Sequence, residues 1–179
     1  MTEEELEKAT NDIIINYLES SSPLEWHKTA MDWNWDNDLT VLWWIINNPK
    51  TDKATALMIY WMSAPRWGKQ YANRQEIAEN ASWYLNHFDF IEDLESKYTS
   101  GFYTNQNYAY NPAKDFNGTD WTNEYTDKPQ LREISAELLV ELKGEEIKYP
   151  DNYIEGVPEN IFNEISELID QYDEDEDDE

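Results

Sequence analysis

Residues 39–46 read Leu-Thr-Val-Leu-Trp-Trp-Ile-Ile, seven apolar side chains in eight positions, with Asp36, Asn37 and Asp38 in front and Asn47, Asn48 and Pro49 behind. Asp and Asn are favoured helix N-caps, and the residue before a proline is turned away from the helical region, so this punctuation sets a short helix. A helix that is apolar nearly all round has no face to give to water and belongs at the centre of a fold. The rest of the chain must supply the elements that cover it.

Helical periodicity supplies them. Leu6, Ala9, Ile13 and Tyr17 recur at helical spacing until residues 20–23 interrupt, and a second helix is predicted from about Pro23 to near Asn34, with Trp26, Ala30 and Trp33 on one face. Asp52 is placed to cap a helix through Ala54, Leu57, Met58, Trp61 and Met62 that ends before Pro65. Ile77, Ala78, Ala81, Tyr84, Leu85 and Phe88 form one apolar stripe, and a short helix over 90–98 is expected after it. Two further helices are predicted over 129–142, through Leu131, Ile134 and Leu138, and over 158–172, with Pro129 and Pro158 in their first turns. Residues 101–127 are rich in Asn, Tyr, Gly and Asp, their aromatics show no helical period, and a long loop is expected there. The fold class read from this pattern is mainly α: a single compact helical domain of about seven helices over residues 1–172, with an aromatic, Asn-rich loop and a disordered acidic tail over 173–179.

A formal charge of −26 accompanies nine Trp, twelve Tyr and five Phe. A solvated acidic chain lacks such aromatics because it has no core to build, so this is a folded acidic body. The seven residues 173–179 are all acidic, and without them the other 172 still carry −19. Such a surface repels nucleic acid and anionic membrane and steers basic protein surfaces toward it. It also opposes self-association, so a monomer is expected. With no cysteine there are no disulfides and no thiolate metal sites. Residues 1–7 are acidic where a secretory signal is basic and then apolar, and no run approaches the ~18 apolar residues of a membrane span, so a cytoplasmic location is expected.

The residues that carry catalytic chemistry are not arranged for it. Asn34, Asp36 and Asp38 alternate as in a calcium loop, but the glycine of the sharp turn is missing and Ile45 stands where the late Glu would be, which leaves helix capping. Asp115, Asn117 and Asp120 form a second oxygen cluster that reads as a turn. His27 and His87 lie sixty residues apart without zinc spacing, and there is no phosphate-binding glycine loop or nucleophile elbow. No catalytic residue, metal or cofactor is expected, and the chain reads as a binding protein and not an enzyme.

Two places suit a partner. Trp33 and Trp35, two apart, face different directions, so one can enter the core while the other reaches the surface. An exposed Trp35 beside Asp32, Asp36 and Asp38 would be an aromatic anchor in an acidic rim. In the long loop, Tyr108, Tyr110, Asp115 and Asp120 would make a rigid aromatic contact surface, unless the loop instead covers the helical core.

Trp26-His27, Asn34-Trp35-Asp36-Asn37, the stretch 45–49 and Asp52-Lys53-Ala54-Thr55-Ala56-Leu57 together resemble the bacterial family called domain of unknown function 4274. Gly101-Phe102-Tyr103-Thr104-Asn105-Gln106 and Asp120-Trp121 are similar to segments that accompany it, extending the resemblance over about residues 20–125. The resemblance implies a small, mostly helical, cytosolic protein, in a family some of whose members are suspected immunity partners of secreted toxins. It brings no catalytic residues. The function expected is an immunity protein that occludes a basic toxin or effector domain; the alternatives are an acidic mimic of nucleic acid that inhibits a DNA- or RNA-binding enzyme, and a non-inhibitory adaptor.

Overall fold

Thr2 and Glu5 close a reciprocal capping box at the start of α1 (Glu3–Glu19): the Glu5 N–H donates to the Thr2 hydroxyl at 3.2 Å and the Thr2 N–H to the Glu5 carboxylate at 2.8 Å. The computed structural model describes residues 2–177, with side chains through Tyr172. It is mainly α, as the periodicity predicts: α2 (Pro23–Met31), α3 (Thr40–Asn47), α4 (Lys53–Met62), α5 (Pro65–Gly68), α6 (Arg74–Asn80), α7 (Leu85–Thr99) and α8 (Glu159–Asp177) follow α1, and the hairpin β1 (Tyr153–Ile154) with β2 (Val157–Pro158) precedes α8. The backbone divides into two compact units, residues 1–44 with 149–179 and residues 45–148.

In the first unit α1 packs against α8. The face it buries runs through Ile14 and Leu18, while Ile13 and Tyr17 of the expected stripe are half-buried. Pro23 stands in the first turn of α2, where its missing N–H costs nothing. The Trp26 indole N–H donates to the Leu18 carbonyl at 2.8 Å, and its ring meets Trp44 edge-on at 5.1 Å. α2 stops at Met31, before the expected end, and the following turn buries Trp33 and leaves Trp35 half-buried. The Asp38 carboxylate accepts the Thr40 N–H at 2.6 Å and opens α3, the capping read from the sequence. Pro158 lies in β2, directly ahead of α8 and not in its first turn. The acidic run 173–179, expected to be a disordered tail, is helical backbone to Asp177; its side chains, and residues 178 and 179 altogether, lie outside the described residues.

In the second unit Asp52 caps α4 by accepting the Ala54 N–H at 2.9 Å, and residues 54–61 of that helix are all buried. α4 packs on α7. Buried Lys69 sits 2.7 Å from Glu95 and 3.2 Å from Glu92; Arg132 reaches Glu92 at 2.7 Å, and the Tyr60 hydroxyl donates to Glu95 at 2.9 Å. Two cations and two carboxylates thus satisfy one another, as burial of charge requires.

Two expected helices are corrected here. The stripe 77–88 is not one helix: α6 ends at Asn80, whose side chain donates back to the Glu76 carbonyl at 2.8 Å, Ala81 turns out of the helix at φ −151°, and a 3-10 turn (Ser82–Tyr84) leads into α7, which runs unbroken past Phe90. Ile77, Ala81, Tyr84 and Phe88 are buried, while Ala78 is exposed and Leu85 half-buried, so the apolar stripe survives the break in part. Over 129–142 no α-helix forms; the chain is irregular except for a 3-10 turn (Ala136–Leu139). Its backbone groups find distant partners instead. The Leu131 N–H donates to the Lys69 carbonyl at 2.8 Å, the Leu138 carbonyl accepts the Trp61 indole N–H at 2.6 Å, and Leu142 bridges to Tyr110. These bonds replace the i to i−4 ladder that the propensities favour.

Candidate partner-binding groove

The first unit carries a cavity of about 720 Å³ lined by α1, the turn over 36–38, the β1–β2 turn and α8. Its exposed edge is acidic: Glu3, Glu4 and Glu7 from α1, Asp36 and half-buried Asp38 from the turn, and Glu155 from the hairpin. Its apolar lining is made by Leu6, Ile14, Val157, Phe162, Ile165 and Ile169, of which Ile14, Val157 and Ile165 are buried. No Lys, Arg or His is among the residues that line it.

Each wall has a local cause. α1 presents Glu3, Glu7, Thr10 and Ile14 on one side because three- and four-residue steps stack on a helix face. α8 presents Phe162, Ile165 and Ile169 for the same reason. Glu155 and Gly156 fill the two-residue turn between β1 and β2, both at positive φ (51° and 87°), the turn that matches strand twist. An added Cβ at Gly156 would lie 3.0 Å from Trp33 Cε3 and 3.2 Å from the Thr29 carbonyl, so close approach as well as φ demands glycine. The turn is tied down by Asp32, which accepts the Gly156 N–H at 3.0 Å and the Tyr149 hydroxyl. Tyr153 of β1 donates to Glu25 and lies 2.7 Å from the Tyr17 hydroxyl; burial, with Glu25 beside it, pushes its phenol up, so it stays a donor at neutral pH.

The groove gathers carboxylates with no Lys, Arg or His among its described lining residues. The neighbouring Asp38 carboxylate, with a little burial and with Glu3 and Glu4, holds the Glu7 carboxyl above its usual range. For Asp38 burial acts in the same direction, but hydrogen bonds from the Thr40 backbone, Asn11 and others outweigh it and hold the group low. Asn11 Nδ2 donates to Asp38 at 2.8 Å. These carboxylates, with no Lys, Arg or His among the described lining residues, place negative potential beside the apolar side chains of the groove.

Of the residues read as partner contacts, Asp36 and Asp38 line this groove. Asp32 is spent on Gly156 and Tyr149, and Trp35 is half-buried with its indole N–H enclosed. The other four belong to the second unit. Tyr108 and Tyr110 are buried there, and their backbones bridge to Glu145 and Leu142. Asp115 is buried and accepts the Asn117 and Thr119 N–H groups at 2.8 Å and the Trp121 indole at 2.7 Å; Asp120 accepts the Thr122 N–H at 3.0 Å. Both oxygen clusters act as turn and cap residues, and among the described residues no group of three His, Asp or Glu is placed to hold a metal ion. Glu3, Glu4, Glu7 and Glu155 were not read as contacts. The acidic start of α1 beside its apolar stripe signals Glu3, Glu4 and Glu7, but nothing local signals Glu155, which only the hairpin brings to the groove.

Residues 21–99 match the family described as Domain of unknown function (DUF4274). The match takes in Asp36 and Asp38 and stops before the loop segments at 101–106 and 120–121; α1 and α8 lie outside it. No curated protein and no solved structure matches the chain. Among the described residues no helix is long and apolar enough to cross a membrane.

Proposed function

We propose that this DUF4274-matching chain is a cytoplasmic immunity protein: a non-enzymatic inhibitor that binds a basic toxin or effector domain and silences it by occlusion. The observation that carries this reading is the groove of the first unit, where the described lining holds six carboxylates, several apolar side chains and no Lys, Arg or His. Charge of one sign accelerates encounter with a basic surface, and the apolar wall supplies the contact that slows release. A nucleic-acid mimic would instead need hydrated carboxylates in a phosphate-like ladder, which a groove with an apolar interior does not favour.

The test uses the full chain, tagged, as bait in lysate of its host, followed by an activity assay of the retained protein with and without the chain. A single basic enzyme, bound in equal stoichiometry and silenced, is the expected result, with an association rate that falls as salt is raised. Retention of several DNA- or RNA-binding proteins that free nucleic acid displaces would overturn the reading in favour of mimicry, and a bound enzyme that keeps full activity would overturn inhibition.

A further inference from the structure

The groove has a shape as well as a sign. Its α1 wall runs from Glu3 to Ile14, about three helical turns, and its α8 wall from Phe162 to Ile169, about two. Both walls are therefore ridges of side chains at three- and four-residue steps, the surface into which the ridges of another helix fit. The strand contribution is limited to Val157 and the turn at Glu155, so there is little sheet edge for an extended peptide to extend.

We propose that the groove accepts one basic amphipathic α-helix of the partner, its apolar face on Leu6, Phe162 and Ile169 and its Lys or Arg side chains against Glu7, Asp38 and Glu155. This rests on the reading of the chain as a binder of a basic protein and names the part of the partner that is bound. Charge complementarity selects this occupant. A second copy of the chain brings −26 of the same sign, and nucleic acid brings phosphates. A purely apolar helix would cover the wall but bring no positive charge to the carboxylates that line it, at a desolvation cost. A cationic flank removes that cost and relieves the repulsion between Glu7 and Asp38. Ile169 lines the groove and is 40 % exposed, which leaves apolar surface for such a helix to bury.

The test is calorimetry and methyl NMR on the full chain with two synthetic Leu/Lys peptides of about fourteen residues and identical composition, one patterned at helical period and the other alternating. The helical pattern should bind, shift the Ile14, Ile165 and Ile169 methyl signals, and bind at least about tenfold more tightly than the alternating isomer. The double substitution Glu7→Gln, Asp38→Asn should weaken it about tenfold; an amide at 38 still accepts the Thr40 N–H, and circular dichroism checks the fold. Ile169→Ser, at a part-exposed position, should weaken it without touching charge. Equal binding of both peptides, shifts confined to other residues, or indifference to both variants would overturn the proposal. Should a partner enzyme be silenced while the helical peptide leaves the groove methyls unmoved, the helix proposal falls and the inhibitor reading stands. Should the peptide occupy the groove while every retained enzyme stays active, the inhibitor reading falls and the helix site stands.

Discussion

Asp32 accepts the backbone N–H of Gly156 at 3.0 Å, a contact across 124 positions of sequence that fixes the turn carrying Glu155 to the end of α2. The same carboxylate accepts the Tyr149 hydroxyl, so one side chain holds both the start and the turn of the segment that leads into α8. An acidic residue that looks, in sequence, like part of a charged surface is here a tie that shapes the groove.

Replacing it should be costly. Asp32→Ala removes the acceptor of the part-buried Gly156 N–H, together with the bond from the Tyr149 hydroxyl, and is expected to destabilise the fold by about 1–3 kcal/mol. Urea unfolding monitored by far-UV dichroism measures this; a change under about 0.3 kcal/mol would mean that water replaces the carboxylate without loss.

Gly156→Ala combines a left-handed backbone with a Cβ pressed on Trp33 and the Thr29 carbonyl. The expected loss is about 1–3 kcal/mol, with displaced amide signals in the β1–β2 turn and at Trp33. Unchanged stability and spectra would show that the turn can readjust. Gly118, also at positive φ but with open space where a Cβ would stand, is the control and should cost less.

His27 is 2 % exposed, and burial lowers its pKa to about 3. The unfolded chain therefore takes up a proton near pH 6.5 that the folded chain refuses, and stability falls as pH drops below that value. Between pH 7.5 and 5 the loss from this one group is about 2 kcal/mol. Protonation of crowded carboxylates such as Glu7, whose raised folded pKa makes acid favourable to the fold, works in the opposite direction. Comparing denaturation of the wild type and His27→Gln at both pH values separates the two. The wild type should lose about 2 kcal/mol more than the variant; equal slopes would mean that His27 does not resist protonation.

Leu131 and Arg132 both donate their N–H groups to the Lys69 carbonyl, at 2.8 and 3.3 Å. In hydrogen exchange these two amides should be protected while exposed Glu133 exchanges fast, and Cα secondary shifts over 129–135 should lack the helical sign. A uniformly protected stretch with helical shifts would restore the helix that propensity favours.

That stretch marks the limit of local pattern. Leu131, Ile134 and Leu138 recur as on a helix, yet Leu131 is 57 % exposed and only Leu138 is fully buried, because the second unit offers the backbone partners at Lys69, Trp61 and Tyr110 that no window of neighbouring residues contains. The break at Ala81 is subtler. Asn80 bonds back to the helix that it ends, but the apolar spacing does not reveal the break, since Ile77, Ala81, Tyr84 and Phe88 are buried on both sides of it while Ala78 is exposed. The groove was half legible in the same way: Asp36 and Asp38 stood out as carboxylates ahead of the apolar core helix, and the acidic edge of α1 lay beside its own stripe. Glu155, Phe162 and Ile169 lie more than a hundred residues further on, and Tyr108 and Tyr110, whose composition suggested a contact surface, are buried instead.

By itself the sequence determined the mainly α class, the positions of α1 to α4 and of α8, the capping roles of Asp38 and Asp52, and the acidic character of any surface the chain presents. These depend on the spacing of apolar side chains, on hydrogen bonds between residues two to four apart, and on a sum of charges, all of which act within a few turns of chain or need no geometry. Only the tertiary structure decided which carboxylates share a groove and which are spent on backbone N–H groups, because a carboxylate's role depends on the donors and apolar walls that folding brings from distant positions to within hydrogen-bond reach.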